Sequence, residues 1–144
     1  KASEIPRLLE PILEDEADMV IGSRYCENHK GFQASRLRRF GIKIFELVNS
    51  LLIKQRITDN TSGFLAYNRK AAGFLADHFP VDYPEPESVV LMGRNGFRLK
   101  EIYVEMQERQ GGQSSIRGFM PFIYMYKVLL SVFMCALRKR IVKE

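Results

Sequence analysis

Short apolar runs alternate with helical apolar stripes along this chain, and this alternation limits its fold more than any other feature. The run Met19-Val20-Ile21, ended by Gly22, predicts a buried strand. Alternating apolar and polar residues over 98–106 predict a second strand, and residues 63–67 predict a third. Apolar residues at helical spacing predict helices over residues 3–15, 37–53, 69–78, 87–94 and 119–140. Strands that alternate with helices indicate the α/β class.

The predicted sheet is small, because sheets of globular domains usually hold about five or six strands. The chain of 144 residues is 46% hydrophobic, so it can bury a core without disulfides. Its two cysteines, Cys26 and Cys135, lie far apart and outside any CxxC pattern. This spacing argues against a zinc site and suits a reducing cytoplasm. We therefore expect a small sheet flanked by helices.

The charge balance is basic, with a formal net charge of +5 and a pI near 9.3. Two clusters carry much of the excess, namely Arg36, Arg38 and Arg39, and then Arg138, Lys139, Arg140 and Lys143. A basic surface favours a polyanionic partner, which would be a nucleic acid, an anionic membrane or a phosphorylated substrate. For either cluster alone, a solvated surface is the simpler interpretation.

Two stretches suggest anion binding. Gly22-Ser23-Arg24 follow a predicted strand, and ligands of open α/β sheets bind at such carboxyl ends. The glycine lets a ligand approach the backbone, the serine offers a hydroxyl, and the arginine can hold a phosphate by two parallel hydrogen bonds. Arg38 and Arg39 open a predicted helix, where backbone donors and guanidinium groups favour an anion.

Three further stretches have a functional and a structural interpretation. Asp59, Ser62 and Gly63 lie in a predicted tight turn, which the Asp59 side chain alone could cap. Glu85 and Glu87 begin a predicted helix, where the helix dipole favours acids and where a general base or sugar-binding carboxylate is the alternative. The glycine-containing loop 109–115 could close over a phosphorylated ligand or could simply be a flexible connection.

Taken in order, the stretches GSRY, RLRRFG, TDNTSGF, EPE, LKEIYVEMQER and GGQSS resemble the second half of a family 2 glycosyltransferase. The resemblance covers residues 5–136 and is to the branch of polyprenyl-phosphate mannosyl- and glucosyltransferases. It implies a GT-A fold, in which a nucleotide-binding α/β half precedes an acceptor half. The implied Asp-x-Asp motif, which holds the nucleotide-sugar and a divalent Mg²⁺ or Mn²⁺, would lie before residue 5.

This chain then resembles the C-terminal portion of such an enzyme, without the nucleotide-binding half. The resemblance therefore implies an incomplete mixed sheet flanked by helices. Residues 1–118 would form the acceptor-side half, and residues 119–144 would form a long amphipathic helix that is associated with the membrane. None of the chain's own motifs would bind the metal. We expect the 144-residue chain to be inactive by itself.

The resemblance also implies residue roles. Those assigned to catalysis are Glu87, Glu85 and Asp59. Those assigned to substrate binding are Ser23, Arg24, Arg38, Arg39, Ser62, Gly63, Arg109 and Ser114. Arg24, Arg38 and Arg39 would face the phosphate of a lipid acceptor. Arg109 would close on the diphosphate of the donor. Leu65 departs from the family, which commonly has arginine at this position.

The implied reaction is inverting transfer of a sugar from a nucleotide-sugar to a polyprenyl-phosphate or saccharide acceptor, in the synthesis of cell-envelope polysaccharide or glycoconjugate. A lipid phosphate is already anionic and needs no base. A sugar hydroxyl would require Glu87 or Glu85 to take its proton. The sequence is compatible with either acceptor.

The last predicted helix favours a membrane setting. Residues 119–137 number about 19, close to the roughly 20 that cross a bilayer. Lys127 and the basic residues after 137 favour a helix that lies at the interface, on the cytoplasmic face. A core helix or a dimer helix is the alternative, and an exposed stripe favours a homodimer.

The other class of function is a non-enzymatic basic α/β module that binds RNA or an anionic membrane surface. A nucleic-acid binder has no reason to carry Glu85-Pro86-Glu87 or the Arg109 loop. We therefore expect no nucleic-acid partner.

Overall fold

The computed structural model describes residues 1–26, 36–106, 120–138 and 141, with side chains for all of these except 36–42, 45, 120–122 and 124. After a short 3₁₀ turn at Ala2–Glu4, the elements in chain order are α1 (Ile5–Leu13), β1 (Met19–Ser23), α2 (Arg36–Ile53), β2 (Leu65–Tyr67), α3 (Arg69–His78), α4 (Pro84–Arg94), β3 (Leu99–Tyr103) and α5 (Met120–Leu137). The expected α/β class is confirmed.

The strands form one mixed sheet in the order β2-β1-β3. β1 pairs antiparallel with β2, so that Val20 lies opposite Ala66. It pairs parallel with β3, so that Ile21 lies opposite Glu101. Because β1 is the central strand, all five of its residues are buried.

The two faces of the sheet support two separate cores, since successive side chains of a strand point to opposite faces. Met19 and Ile21 belong to the larger core, which draws side chains from α2 to α5. Val20 belongs to the smaller core, together with Leu8 of α1 and Ala66 of β2. The sheet therefore lies between α1 on one side and the other four described helices on the other.

β1 extends beyond the predicted strand 19–21 and includes Gly22 and Ser23. The reason is that Gly22 continues the pairing, since its backbone N–H donates to the carbonyl oxygen of Phe64 at 2.8 Å. A Cβ at Gly22 would stand 2.7 Å from the Phe64 ring and 3.1 Å from that carbonyl oxygen. Only glycine fits this close approach, so the residue that was expected to end the strand is part of it.

The other boundaries differ by a few residues. α1 begins at Ile5 with Glu4 as its N-cap, and not at Ser3. α4 begins at Pro84 rather than at 87, because proline suits the first turn of a helix. Gly96 follows α4 with φ of +80°, a conformation that favours glycine. The strands predicted over 63–67 and 98–106 are shorter, and α3 has its predicted bounds.

Asp18 ties the sheet together at the end opposite the carboxyl end of β1. Its carboxylate accepts hydrogen bonds from the Asn68 amide at 2.7 Å and from the Arg98 backbone N–H at 2.8 Å. Asn68 in turn caps α3 through the backbone N–H of Ala71. Burial acts to raise the pKa of Asp18, but the hydrogen bonds from Arg98 and Asn68 outweigh it and lower the pKa below its ordinary value.

α5 is apolar on two faces. The inner face packs on α4 through Val128, Val132, Cys135 and Ala136. The outer face, called here the exposed face of α5, consists of Ile123, Tyr126, Leu130, Phe133, Met134 and Leu137. At 100° per residue these six side chains occupy a sector of about 100°. Within the described ranges, no helix is long and apolar enough to cross a bilayer.

Candidate functional site

Three segments meet at the carboxyl end of β1. Residues 24–26 leave the strand after Ser23, residues 57–64 form a turn that leads into β2, and α4 begins close to that turn. The turn is joined to the strand end by hydrogen bonds that span about forty residues of sequence. This geometry collects most of the described residues for which a functional role was predicted.

Arg24 and Asp59 form a bidentate ion pair at this strand end. Arg24 donates from Nε to Oδ2 and from Nη2 to Oδ1 of Asp59, both at 2.8 Å. Asp59 is buried, with 2% of the residue exposed, whereas the Arg24 side chain keeps 24% of its surface exposed. The hydrogen bonds that Arg24 donates to Asp59 raise the pKa of Arg24 and outweigh the opposing effect of burial. The Asp59 carboxylate also accepts a hydrogen bond from the Thr61 hydroxyl within its own turn. Asp59 therefore holds Arg24 in addition to making this local contact.

Arg24 keeps hydrogen-bonding capacity for a ligand. Its Nη2 atom also donates to the Thr61 hydroxyl at 3.2 Å. Its Nη1 atom makes no hydrogen bond to any part of the chain that the structure describes. The guanidinium is thus fixed on one edge and available on the other, a geometry that suits an anionic ligand.

Glu101 of β3 holds the turn in place. Its Oε1 accepts the backbone N–H of Asp59 at 2.7 Å and the hydroxyl of Thr58 at 2.9 Å. Its Oε2 accepts the backbone N–H of Thr58, also at 2.9 Å. The sequence did not predict a role for Glu101, because its only distinguishing feature there is a polar position in an alternating strand.

Ser23 and Ser62 use their hydroxyls to hold the backbone. The fully buried Ser23 Oγ accepts the backbone N–H groups of Tyr25 at 3.0 Å and Cys26 at 3.1 Å. The Ser62 hydroxyl donates to the Gly22 carbonyl oxygen at 2.5 Å. Both residues were predicted to bind substrate, and in this structure they shape the floor of the strand end.

Gly63 and Glu85 face each other. A Cβ at Gly63 would stand 3.9 Å from Oε1 of Glu85, an ordinary van der Waals distance. Glu85 is half-buried in the first turn of α4, and its carboxylate accepts no hydrogen bond from the residues described. Burial, and then the negative charge of Glu85, raise the pKa of Tyr67 on β2. Glu85 is therefore a carboxylate with unused acceptors next to the turn.

Glu87 lies in a different environment from Glu85. The residue is only 5% exposed. Its carboxylate accepts the backbone N–H of Tyr83 at 3.0 Å and the hydroxyl of Ser131 on α5. The carbonyl oxygen of Glu87 also accepts the thiol of Cys135 at 3.8 Å. These contacts join the start of α4 to α5.

Four of the predicted substrate-binding residues have no described side chain. Arg38 and Arg39 lie in the first turn of α2, which begins at Arg36, but their side chains are outside the description. Arg109 and Ser114, with the whole loop 109–115, fall outside the described residues. Leu65, which departs from the family pattern, is the first residue of β2.

The carboxylates at the strand end do not fit a divalent metal. Among residues 1–26, 36–106, 120–138 and 141, no group of three or more His, Cys, Asp or Glu side chains could hold a metal ion. Asp59 is occupied by Arg24, and Glu101 is occupied by the turn. We therefore derive no chemical step through a metal from this chain.

The comparisons with known proteins are distant. No protein-family model matches the chain. It is 27% identical over 123 residues to an uncharacterized protein of Methanocaldococcus jannaschii. That match covers 81% of this chain and 50% of the relative, so the chain spans about half of the relative's length. No solved structure matches.

Proposed function

We propose that this chain is the acceptor-side half of a family 2 glycosyltransferase with a GT-A fold. The enzyme transfers a sugar from a nucleotide-sugar to a polyprenyl-phosphate or saccharide acceptor in cell-envelope synthesis. The observation that carries the proposal is the bidentate Arg24–Asp59 pair at the carboxyl end of β1, with Glu85 beside the same turn. A fixed cation and an unengaged carboxylate suit an acceptor that is either a phosphate or a hydroxyl.

Arg24 binds the anionic group in this proposal, and Asp59 positions Arg24. The remaining Nη1 edge of the guanidinium faces the ligand, while Glu101 holds the turn that carries Asp59 through hydrogen bonds to its backbone. Preorganised donors of this kind stabilise charge without reorganising during the reaction. Asp59 thus acts through Arg24, and is a positioning residue rather than a catalytic one.

Glu85 is the better of the two predicted acids for contact with an acceptor. Its carboxylate is half-buried and accepts no hydrogen bond from the described residues, so it can take a proton from a sugar hydroxyl. The Glu87 carboxylate is held by Tyr83 and Ser131, and we assign it to the junction of α4 and α5. If the acceptor is a lipid phosphate, neither acid is needed as a base.

We assign the nucleotide-sugar and its Mg²⁺ or Mn²⁺ to a nucleotide-binding half outside residues 1–144. The support is the resemblance of the chain to the second half of these enzymes. In the acceptor-side half, which is the present chain, the carboxyl end of β1 binds and orients the molecule that accepts the sugar. We expect the chain alone to transfer no sugar.

The exposed face of α5 fits an anionic membrane surface. Six large apolar side chains share this face, and Met120–Leu137 contains no acidic residue. Lys127 is exposed on the same helix, and the sequence continues with Arg138, Lys139 and Arg140. An apolar face flanked by basic residues is typical of helices that lie in the membrane interface. We place the enzyme on the cytoplasmic face, as a peripheral protein.

The experiment is a transferase assay, with and without Mg²⁺ or Mn²⁺, on a protein that contains this chain together with the proposed nucleotide-binding half, called here the longer protein. UDP- and GDP-sugars are screened against polyprenyl phosphate and oligosaccharide acceptors, with Glu85→Gln, Glu87→Gln and Arg109→Ala variants in parallel. Metal-dependent transfer supports the proposal. The absence of transfer, together with salt-sensitive binding to RNA or liposomes, would support a non-enzymatic basic module instead.

A further inference from the structure

Glu101 lies on the face of the sheet that carries the larger core. Its partner on β1 is Ile21, which belongs to that core, and Leu99 on the same face of β3 packs against it. Glu101 itself is half-buried. A carboxylate in such surroundings is stable when its oxygens accept hydrogen bonds, so its donors indicate what the residue is there to hold.

Three donor groups of the turn meet the Glu101 carboxylate. The backbone N–H of Thr58 lies 2.9 Å from Oε2 and 3.1 Å from Oε1. The Thr58 hydroxyl donates to Oε1 at 2.9 Å, and the backbone N–H of Asp59 donates to the same oxygen at 2.7 Å. Because a carboxylate only accepts hydrogen bonds, the hydroxyl proton of Thr58 points to Glu101.

The direction of the next hydrogen bond follows from that of the first. The hydroxyl oxygens of Ser23 and Thr58 are 3.4 Å apart, a distance that does not by itself say which one donates. Ser23 Oγ already accepts the backbone N–H groups of Tyr25 and Cys26, which use both of its acceptor positions. Ser23 is therefore the donor and Thr58 the acceptor. Hydrogen bonds thus run from residues 25–26 through Ser23 and Thr58 to Glu101.

Two routes from Glu101 converge on Arg24. The first passes through Asp59, which binds Glu101 by its backbone N–H and accepts the guanidinium and the backbone N–H of Arg24 on its carboxylate. The second passes through Thr58 and Ser23 and fixes the backbone on both sides of Arg24. No hydrogen bond joins Glu101 to Arg24 directly, so Glu101 acts on the guanidinium through these residues.

We propose that Glu101 and Thr58 are positioning residues for anion binding, because together they fix the guanidinium of Arg24 with its Nη1 edge towards the ligand. The inference rests on the proposed function and deepens it, since it adds two residues that act on a phosphate-bearing acceptor through Arg24. The physical reason is preorganisation. An arginine that is oriented before the ligand arrives loses less side-chain entropy on binding.

Four variants separate the two routes. Thr58→Val keeps the shape of the side chain but lacks the hydroxyl, while the backbone N–H groups of Thr58 and Asp59 still reach Glu101. Thr58→Ser retains the hydroxyl and is its matched control. Glu101→Ala removes both acceptor oxygens. Glu101→Gln retains one oxygen in place of Oε1 and loses the acceptor at Oε2.

The first test follows the exchange of arginine Nε–H protons with water in ¹⁵N spectra of the 144-residue chain at slightly acid pH. Thr58→Val should speed the exchange of the Arg24 Nε–H about threefold to tenfold, the effect expected from the loss of one hydrogen bond. Glu101→Ala should speed it at least as much, and Glu101→Gln by a smaller factor. Thr58→Ser should stay close to the wild type.

Arg98 is the internal control for this exchange. Its Nε donates to Asp18 at 3.3 Å, away from the carboxyl end of β1, so its exchange should be the same in all four variants. Wild-type exchange of Arg24 in both Thr58→Val and Glu101→Gln would overturn the inference. So would equal acceleration at Arg24 and Arg98, since the two residues would then serve the stability of the whole sheet. These outcomes decide the matter even if Glu101→Ala does not fold.

The second test uses the longer protein with polyprenyl phosphate as the acceptor and keeps the two proposals apart. Thr58→Val should raise the KM for polyprenyl phosphate about threefold to tenfold and leave the KM for the nucleotide-sugar unchanged. In an Arg24→Ala background the same substitution should have no further effect, because it acts through Arg24. Equal effects in both backgrounds defeat only the inference. Arg24 exchange that depends on Thr58, in a protein that transfers no sugar, defeats only the proposed reaction.

Discussion

Arg24 and Asp59 are 35 residues apart in sequence, yet two of their nitrogen–oxygen pairs meet at 2.8 Å. The contact joins the residue that leaves β1 to the turn that precedes β2. Asp59 is buried and Arg24 is partly exposed. The ion pair therefore stabilises the strand end and also fixes the position of a charged group at the surface. This dual role is the basis of the first prediction.

Replacing Asp59 by asparagine should lower the free energy of unfolding by about 2 kcal/mol. Removing one partner of a fully buried ion pair costs roughly 3–5 kcal/mol, and the exposure of Arg24 reduces this value. Urea unfolding followed by circular dichroism measures the change. Arg56→Gln, which breaks the ion pair with Glu46 at an exposed arginine, is the control and should leave the midpoint unchanged. Equal midpoint shifts in both variants would refute the assignment.

Acid should destabilise the protein partly through Asp18. Its pKa in the folded state lies below the ordinary value of 3.8, so the unfolded chain binds more protons at low pH. The contribution of Asp18 is therefore complete above about pH 4 and is lost as the pH falls through the folded-state pKa. The free energy of unfolding, measured from pH 6 to about pH 2, should decrease less steeply in Asp18→Asn than in the wild type.

The control for this pH dependence is Asp77→Asn, at an exposed position on α3. In this variant the free energy of unfolding should decrease at acid pH as steeply as in the wild type. If it also decreased as steeply in Asp18→Asn, the hydrogen bonds that Asp18 accepts from Arg98 and Asn68 would not be the source of the effect.

Glu85 and Glu87 should separate into a functional and a structural residue. Glu85→Gln should slow transfer to a saccharide acceptor by about 10²–10⁴-fold, the usual contribution of a general base, and leave transfer to polyprenyl phosphate close to wild type. Glu87→Ala should lower the free energy of unfolding by roughly 2 kcal/mol, because the Tyr83 N–H and the Ser131 hydroxyl lose their buried acceptor. The opposite pattern would make Glu87 the acid that contacts the acceptor.

The exposed face of α5 should bind anionic vesicles. Phe133→Glu should weaken binding to vesicles that contain phosphatidylglycerol by at least about tenfold, because it removes an apolar contact and adds a negative charge. Leu13→Glu is the matched control, since it makes the same charge change at an exposed apolar residue of α1. Flotation of vesicles measures both. Equal losses in the two variants would indicate a general charge effect, without a role for α5.

The order of the elements was predictable because local patterns determine it. The apolar run Met19-Val20-Ile21 marked the central strand, and the spacing of apolar residues marked all five helices of the described part. The first turn of α4 was not predicted, since the predicted helix began only at residue 87, after Pro84 and Pro86. Proline is tolerated best in the first turn of a helix, where its missing N–H would have no partner within the helix.

The candidate site was less predictable because its contacts are long-range. Glu101 contacts Thr58 and Asp59 from more than forty residues away, and the pairing of β3 with β1 brings it there. A polar residue in an alternating strand gives no sign of such a partner. The sequence also does not predict that the amide of Asn60, in the same turn, lacks hydrogen-bond partners among the described residues, because this depends on the tertiary contacts that its neighbours make.

The measurement that tests the account most directly is sugar transfer by the longer protein, with Arg24→Ala beside the wild type and Arg56→Ala as a control at an exposed arginine. The account predicts nucleotide-sugar-dependent transfer by the wild type and by Arg56→Ala. It predicts a kcat/KM about 10²-fold lower for Arg24→Ala, the loss expected when one preorganised electrostatic donor is removed. Undiminished transfer by a correctly folded Arg24→Ala, or no transfer by the wild type with any nucleotide-sugar and acceptor, would contradict it.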